Sequence, residues 1–299
     1  MRRKVIRHGS STLTISLPSR WAKQHNIQKG DELVVEERGD LLSIQTEREK
    51  TTPRYRTSIG SYSRLGKSHL TACYRRGFDE VTFTFEDPAF ASVVQDVLKN
   101  DIEGYEILTQ NKHACTVKHL FDVNKEGFKV ALRRLWTLLN SMAVDLLVAI
   151  REKDTTTLQI IKERDKTINR LMNYCARALN KYVVTDDNIL YYHLLRELED
   201  IGDHYKEIAS FYLQHMPQTN DQSLAMFAQV NQYLEALCDV YYTYDKQRVE
   251  ALFHRTKKLI ELMRSHIRKK RETCVTLTYL LLIATKTRGL LSTIVELNL

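Results

Sequence analysis

Between residue 124 and residue 299 the chain has a single proline, Pro217. Proline inside a helix removes a hydrogen bond and clashes with the preceding turn, so so long a stretch with so little of it permits helix throughout. Apolar residues recur there at helical spacing. They predict six amphipathic helices at about 124–152, 154–181, 186–214, 220–244, 246–271 and 274–297. Breaks fall at Lys153-Asp154, at Val184-Thr185-Asp186-Asp187 and at Met216-Pro217-Gln218-Thr219-Asn220. Asp186 and Asp187 suit a helix start, as caps and as charges that complement the helix dipole. Pro217 splits the six into three plus three, which predicts two antiparallel three-helix repeats, 124–216 and 217–299.

The third helix carries more than a core helix needs. Leu194, Leu198, Ile201, Tyr205, Ile208 and Tyr212 form its apolar stripe. Glu199 and Asp203 lie one turn apart on one face, where like charges cost roughly 0.2–0.5 kcal/mol. The mid-helix glycine, Gly202, costs about 1 kcal/mol against alanine. A bound cation and a close-packed neighbouring helix would account for both. The plainer alternative is a solvated ladder of Arg196, Glu199, Asp203 and Lys206. Oxygen ligands of this kind suit Mg, Mn or Fe, and His204 is expected to point off that face.

The remaining chain falls into two smaller parts. In residues 1–48, Val5-Ile6 and Leu13–Leu17 read as strands around a His8-Gly9-Ser10-Ser11 turn. A short helix follows over Ser19–His25, with Ser16 as a candidate cap, Pro18 at its first position and Asn26 at its end. Leu33–Glu36 and Leu41–Ile44 form a hairpin about Arg38-Gly39-Asp40. So small a ββαββ unit buries a poor core alone and is expected to pair with a second copy. After a break at Thr51-Thr52-Pro53, residues 50–123 read as a small α/β connector. It has a helix over Gly66–Gly77, a strand over Glu80–Phe85, a helix begun by Asp87-Pro88 and strands over Tyr105–Gln110 and Cys115–Leu120. His113 and His119 are candidates to meet across that last hairpin.

A surplus of eight positive charges makes a polyanion such as DNA a plausible partner. Arg2, Arg3, Lys4, Arg7, Arg20 and Lys23 give the N-terminal unit a basic bias suited to phosphate contacts. The five scattered cysteines never form a C-x-x-C pair, as expected of free thiols in the cytoplasm. Met1-Arg2-Arg3-Lys4 leads into no apolar run, so no signal peptide is expected, and Tyr279–Ala284 is too short to span a membrane.

Two stretches resemble known families. Gly-Ser-Ser, then Thr12–Pro18, the short helix ending at Ile27 and Lys29-Gly30-Asp31-Glu32-Leu33-Val34-Val35 are similar to the AbrB/MazE/SpoVT domain. That resemblance implies a strand-swapped, swapped-hairpin β barrel, homodimeric, with DNA contacts carried onto Arg2, Lys4, Arg7, Arg20 and Lys23. Leu198-Glu199-Asp200-Ile201-Gly202-Asp203 resembles the signature helix of the PhoU phosphate-uptake regulators. Glu199 and Asp203 match its two acidic positions, and Asp165 matches the acidic line of the preceding helix, where Asn169 replaces a carboxylate. The resemblance implies two three-helix repeats whose acidic faces can hold metal ions, variously iron, zinc or manganese. In the second repeat Thr285 and Gly289 stand at the acidic positions, and no metal is expected there.

Together these imply a multidomain protein, with units at 1–48, 50–123, 124–216 and 217–299. They imply a cytoplasmic, DNA-binding transcription regulator of phosphate uptake, not an enzyme, of a type found in archaea. One alternative is an adaptor that dimerises through its N-terminus and docks the ATPase subunit of a phosphate transporter. The other, a helical metalloenzyme, ranks low because the chain has no Glu-x-x-His motif.

Overall fold

The computed structural model describes residues 2–38, 40–46, 53–59, 65–120, 125–181, 187–270 and 275–299. The chain divides into two compact units, Met1–Thr52 and Pro53–Leu299.

In the first unit β1 (Val5–His8) pairs antiparallel with β2 (Thr12–Ile15), turning through Gly9 at φ 71°. Helix α1 (Ser19–Gln24) follows, then β3 (Leu33–Arg38) paired antiparallel with β4 (Leu41–Thr46). The expected ββαββ order is present. Pro18 occupies the N-cap position and no side chain caps α1, so Ser16 does not play the part expected of it. Asn26 ends the helix in a left-handed conformation, φ 50°. Gly39, Thr51 and Thr52, parts of the expected hairpin turn and linker, lie outside the described residues. None of the residues whose burial is described in this unit is buried. Val5, Ile6, Leu13 and Ile15 are each at least half exposed, on both faces of the hairpin. An isolated two-stranded hairpin is marginal in water.

The second unit begins with a sheet of order β5-β6-β8-β7, formed by β5 (Arg54–Ile59), β6 (Glu80–Phe85), β7 (Tyr105–Gln110) and β8 (Ala114–His119). β5 runs parallel to β6 and the other neighbours are antiparallel. Helices α2 (Gly66–Arg75) and α3 (Phe90–Asn100) contribute Leu70, Tyr74, Phe90, Val94 and Val97 to one core with Val81, Phe83, Phe85 and Val117 of the sheet. β5 is absent from the sequence reading. Its inward positions are Tyr55, Thr57 and Ile59, too weak an alternation to stand out, and its partner β6 is reached only through α2. Asp87 accepts a hydrogen bond from the Ala89 amide at 2.9 Å, but α3 begins at Phe90 with Ala89 at its N-cap, so Asp87-Pro88 form the turn before the helix rather than its start. His113 and His119 do not meet: one lies in the β7–β8 turn and the other at the far end of β8, opposite Tyr105.

Six long helices complete this unit: α4 (Lys125–Glu152), α5 (Thr155–Lys181), α6 (Asn188–His215), α7 (Asp221–Tyr242), α8 (Lys246–Lys270) and α9 (Val275–Glu296). Their ends fall within two residues of the periodicity reading. Asp187 stands at the N-cap of α6 without a side-chain capping bond, and Asp186 lies outside the described residues. Helices α4, α5 and α6 pack together, as do α7, α8 and α9, and the two sets join along α6–α9 and α4–α7. One apolar core runs through both sets, including Trp136, Leu139, Ile168, Leu198, Phe227 and Ile283. Tyr205 donates to Asn231 Oδ1 at 2.9 Å, and Asn231 Nδ2 donates to the Ala143 carbonyl at 2.6 Å, a buried polar link among α6, α7 and α4.

Helix α5 also carries the α/β module. Arg177 is fully buried and donates to the carbonyls of Tyr74 (2.9 Å) and Phe78 (2.8 Å) and to the Asp79 carboxylate. Its guanidinium sits 5.0 Å over the Tyr74 ring and 5.6 Å over that of Tyr105. Lys181 bonds Asp79 at 2.5 Å, Asn173 the Asp101 carbonyl at 2.7 Å and Asn180 the Arg75 carbonyl at 2.9 Å. Gly77, at φ 86°, lets the backbone approach Lys181, where an added Cβ would stand 3.3 Å from the lysine Cβ. Removing one partner of such a buried pair strands the other. Arg177→Met is therefore expected to cost about 3 kcal/mol in urea unfolding followed by circular dichroism.

Gly202 lies where α6 approaches α5 and α4, as its position suggested. An added Cβ would meet Ile168 at 3.4 Å and Leu139 at 3.6 Å, ordinary van der Waals separations. A methyl group thus fits. Gly202→Ala should raise stability by about 0.5–1 kcal/mol in the same assay, through helix propensity and a less disordered unfolded chain.

Candidate functional site

The acidic residues singled out by sequence come from two adjacent helices, Asp165 from α5 and Glu199 and Asp203 from α6. Asp165 is buried, 4 % exposed. Its Oδ2 accepts from Asn169 Nδ2 at 3.1 Å and from Lys206 Nζ at 3.0 Å, while its Oδ1 has no partner. Lys206, one turn beyond Asp203 on α6, also bonds Asp203. Arg196 Nη1 lies 3.0 Å from Glu199 Oε2, although that oxygen accepts no hydrogen bond. The structure thus brings the three acids into one electrostatic neighbourhood, with the ammonium of Lys206 between Asp165 and Asp203. Among the described residues no three His, Cys, Asp or Glu side chains gather closely enough to hold a metal ion. The arrangement departs from a metal centre in that respect, despite the oxygen chemistry and the unpartnered Asp165 Oδ1. It also differs from a solvated ladder, because its central carboxylate is buried.

Burial pushes the Asp165 carboxyl up from its ordinary value; Lys206 opposes this and Asp203 adds to it. Glu199 is raised by burial too, with Arg196 opposing and Asp203, Asp200 and Asp165 repelling. Burial pulls Lys206 down, but its bonds to Asp203 and Asp165 outweigh that and leave it raised.

The next acidic line on α6 has its own lysine. Lys286 of α9 lies 3.2 Å from Glu197 and 2.8 Å from Asp200. His204 turns to the same side, its ring 5.7 Å from that of Tyr279. Burial first, then Lys286, holds the His204 imidazole below its usual value. Lys286 follows directly on Thr285, one of the two positions where the second repeat lacks acids. Sequence reading missed its role, because nothing in one helix's periodicity indicates a partner on another.

The five basic residues assigned to DNA contact are exposed. Arg2 and Lys4 precede β1, Arg7 lies in it, and Arg20 and Lys23 lie on α1. Arg7 Nη2 donates to the Ser10 carbonyl at 2.6 Å. The larger concentration of net charge lies elsewhere. Helix α8 holds nine Lys and Arg against two Glu, a surplus of seven, where the whole chain has a surplus of eight. Counting charge by segment would have located it.

Comparison with known proteins places two matches on this chain. Residues 6–48 match the family model described as "Antidote-toxin recognition MazE, bacterial antitoxin". Residues 132–211 match the model of the PhoU domain, a match that ends within α6. The chain is similar to the crystal structure of PhoU from Pseudomonas aeruginosa, with 15 % identity and a TM-score of 0.49 over 58 % of this chain and 96 % of that one. It is also similar to the phosphate transport system regulatory protein PhoU from Streptococcus pneumoniae, with 18 % identity and a TM-score of 0.43 over 57 % and 90 %. No curated protein sequence matches it. The chain thus carries a segment similar to the MazE-type family at its N-terminus and one similar to the PhoU domain over 132–211.

An acid raised in the folded state binds protons that the unfolded chain has released. The stability it contributes is full at acid pH and is lost as pH rises through its folded value. Lys206→Met removes the counter-charge from Asp165. It is expected to destabilise on the order of 2 kcal/mol at pH 7, less than a fully buried pair because the lysine side chain keeps 26 % exposure, with part of the loss regained on acidification. Asp165→Asn should instead fold well at pH 7 and shrink the gain in stability on acidification, read from urea midpoints between pH 7 and pH 4.

Proposed function

We propose that the protein is a DNA-binding transcription regulator of phosphate uptake. Its N-terminal units pair, as a homodimer or a higher even oligomer, and contact DNA through Arg2, Lys4, Arg7, Arg20 and Lys23. The observation that carries this reading is the N-terminal unit itself. It matches a MazE-type family model, leaves Val5, Ile6, Leu13 and Ile15 uncovered within one chain, and carries exposed basic residues along the same elements. Pairing two such units would bury those apolar faces, at roughly 25 cal/mol per Å² removed from water. The link to phosphate rests on the PhoU match at 132–211. In this reading the α/β module, 50–123, joins the N-terminal unit to two helical repeats, 124–216 and 217–299, and the helical body receives the signal.

The signal at Asp165, Glu199 and Asp203 is a change of cation state. A divalent or iron-type metal ion could enter there only by displacing Lys206. Elemental analysis separates the two cases: metal content that rises in Lys206→Met means the ammonium stands in the metal's place.

The exposed apolar strands also suit an adaptor that dimerises without touching DNA and docks a transporter's ATPase subunit or a sensor protein. A gel shift on the protein's own upstream DNA, with and without phosphate and divalent metal, distinguishes the readings. The regulator reading expects salt-sensitive, sequence-preferring binding that weakens at least tenfold when Arg2, Lys4 and Arg7 are reversed in charge. Binding that ignores sequence, or survives that reversal, sinks it.

A further inference from the structure

Helices α5 and α8 hold equivalent places, each the middle helix of its three-helix set. The outward side of α5 is covered by α2 and α3, through Arg177, Asn173 and Asn180. The outward side of α8 has no such cover among the described residues; α8 packs on α7 and α9 through Leu252, Thr256, Leu259 and Met263. The helix itself, with nine basic residues against two acidic ones, has a surplus of seven, beside a surplus of eight for the whole chain.

The charge is arranged in a line. Lys246, Lys257, Arg264 and Arg268 are separated by eleven, seven and four residues, so they share one side of the helix over about 33 Å. All four are exposed and, among the described residues, none makes an ion pair with an acid. Arg288 of α9 lies 5.7 Å over the ring of Phe253, within the long gap between Lys246 and Lys257. Glu250 and Glu261 interrupt the line without neutralising it. Arg264 and Arg268, one turn apart, repel one another, and an anion between them would remove that repulsion.

We infer that the outward face of α8 is a second DNA contact, one that grips phosphates without reading bases. The choice of DNA as the polyanion rests on the regulator reading above. A lipid surface fits less well. The exposed apolar residues of α8, Phe253 and Leu262, lie nine residues apart on opposite shoulders of the helix and form no strip that could enter a bilayer. A row of cations extended over about 33 Å also suits a continuous line of phosphates better than the compact acidic patch of a protein partner.

The test uses the full-length protein, a duplex lacking its upstream sequence, and binding measured over a range of salt. Changing Lys246, Lys257, Arg264 and Arg268 together to Gln should flatten the plot of log affinity against log salt by about 3–4 and weaken binding at low salt at least tenfold, with helix content unchanged. Changing Arg2, Lys4 and Arg7 to Gln should leave that non-specific binding largely in place while abolishing preference for the upstream duplex. An unchanged slope in the α8 variant overturns the inference and leaves the regulator reading standing. Non-specific binding that depends on α8, with no sequence preference in the wild type, supports the inference and overturns the regulator reading. No DNA binding by the wild type overturns both. Vesicles of anionic lipid that bind the wild type and not the α8 variant, with DNA binding equal in the two, assign the face to a membrane surface instead.

Discussion

The fully buried guanidinium of Arg177 fixes the shape of the larger unit. An arginine keeps its charge in an apolar surrounding, so burying it is tolerable only where its donors are met. Here two carbonyls, a carboxylate and two aromatic faces meet its two terminal nitrogens and its plane, supplied by Tyr74 of α2, by Phe78 and Asp79 of the loop after it and by Tyr105 of β7, while Nε is left without a partner. That geometry exists only while α5 and the α/β module are together. Lys181, Asn173 and Asn180 extend the contact along about two turns of α5. A segment that reads in sequence as a connector is therefore docked as an integral part of the helical body.

The same economy of charge operates on the acidic faces of α6. Each carboxylate line that would repel itself has an ammonium set into it, Lys206 from the same helix and Lys286 from α9. Asp165, almost without exposure, depends on that neighbour most. Lys206 thus balances charge where α5 and α6 meet, and Lys286 where α6 and α9 meet.

The six long helices were legible because each repeats its apolar pattern for six turns or more, and because proline and short polar breaks bound them. Gly202 was legible as a residue of the α6 face that packs on α5 and α4, not as one that packing requires. The space for a methyl group beside it was not, since ångström clearances depend on how Ile168 and Leu139 settle. β5 escaped because parallel pairing sets a register through a distant strand, and its own residues alternate weakly. The acidic triad was legible as residue types on helix faces. The lysines that complete it were readable only as positive charges, and the pairing of Lys286 with Glu197 joins residues far apart in the chain.

The sequence by itself determined the element order, the helix lengths, the two recognisable segments and the chemical character of the α6 face. These depend on local propensity and periodicity, which a single stretch of chain carries complete. Only the tertiary structure decided that Arg177 locks the α/β module to α5, that Lys206 rather than open solvent faces Asp165, and that the outward side of α8 has no cover among the described residues. Each of these depends on which surfaces remain after packing, and the free energy of a charge is set by what surrounds it in three dimensions.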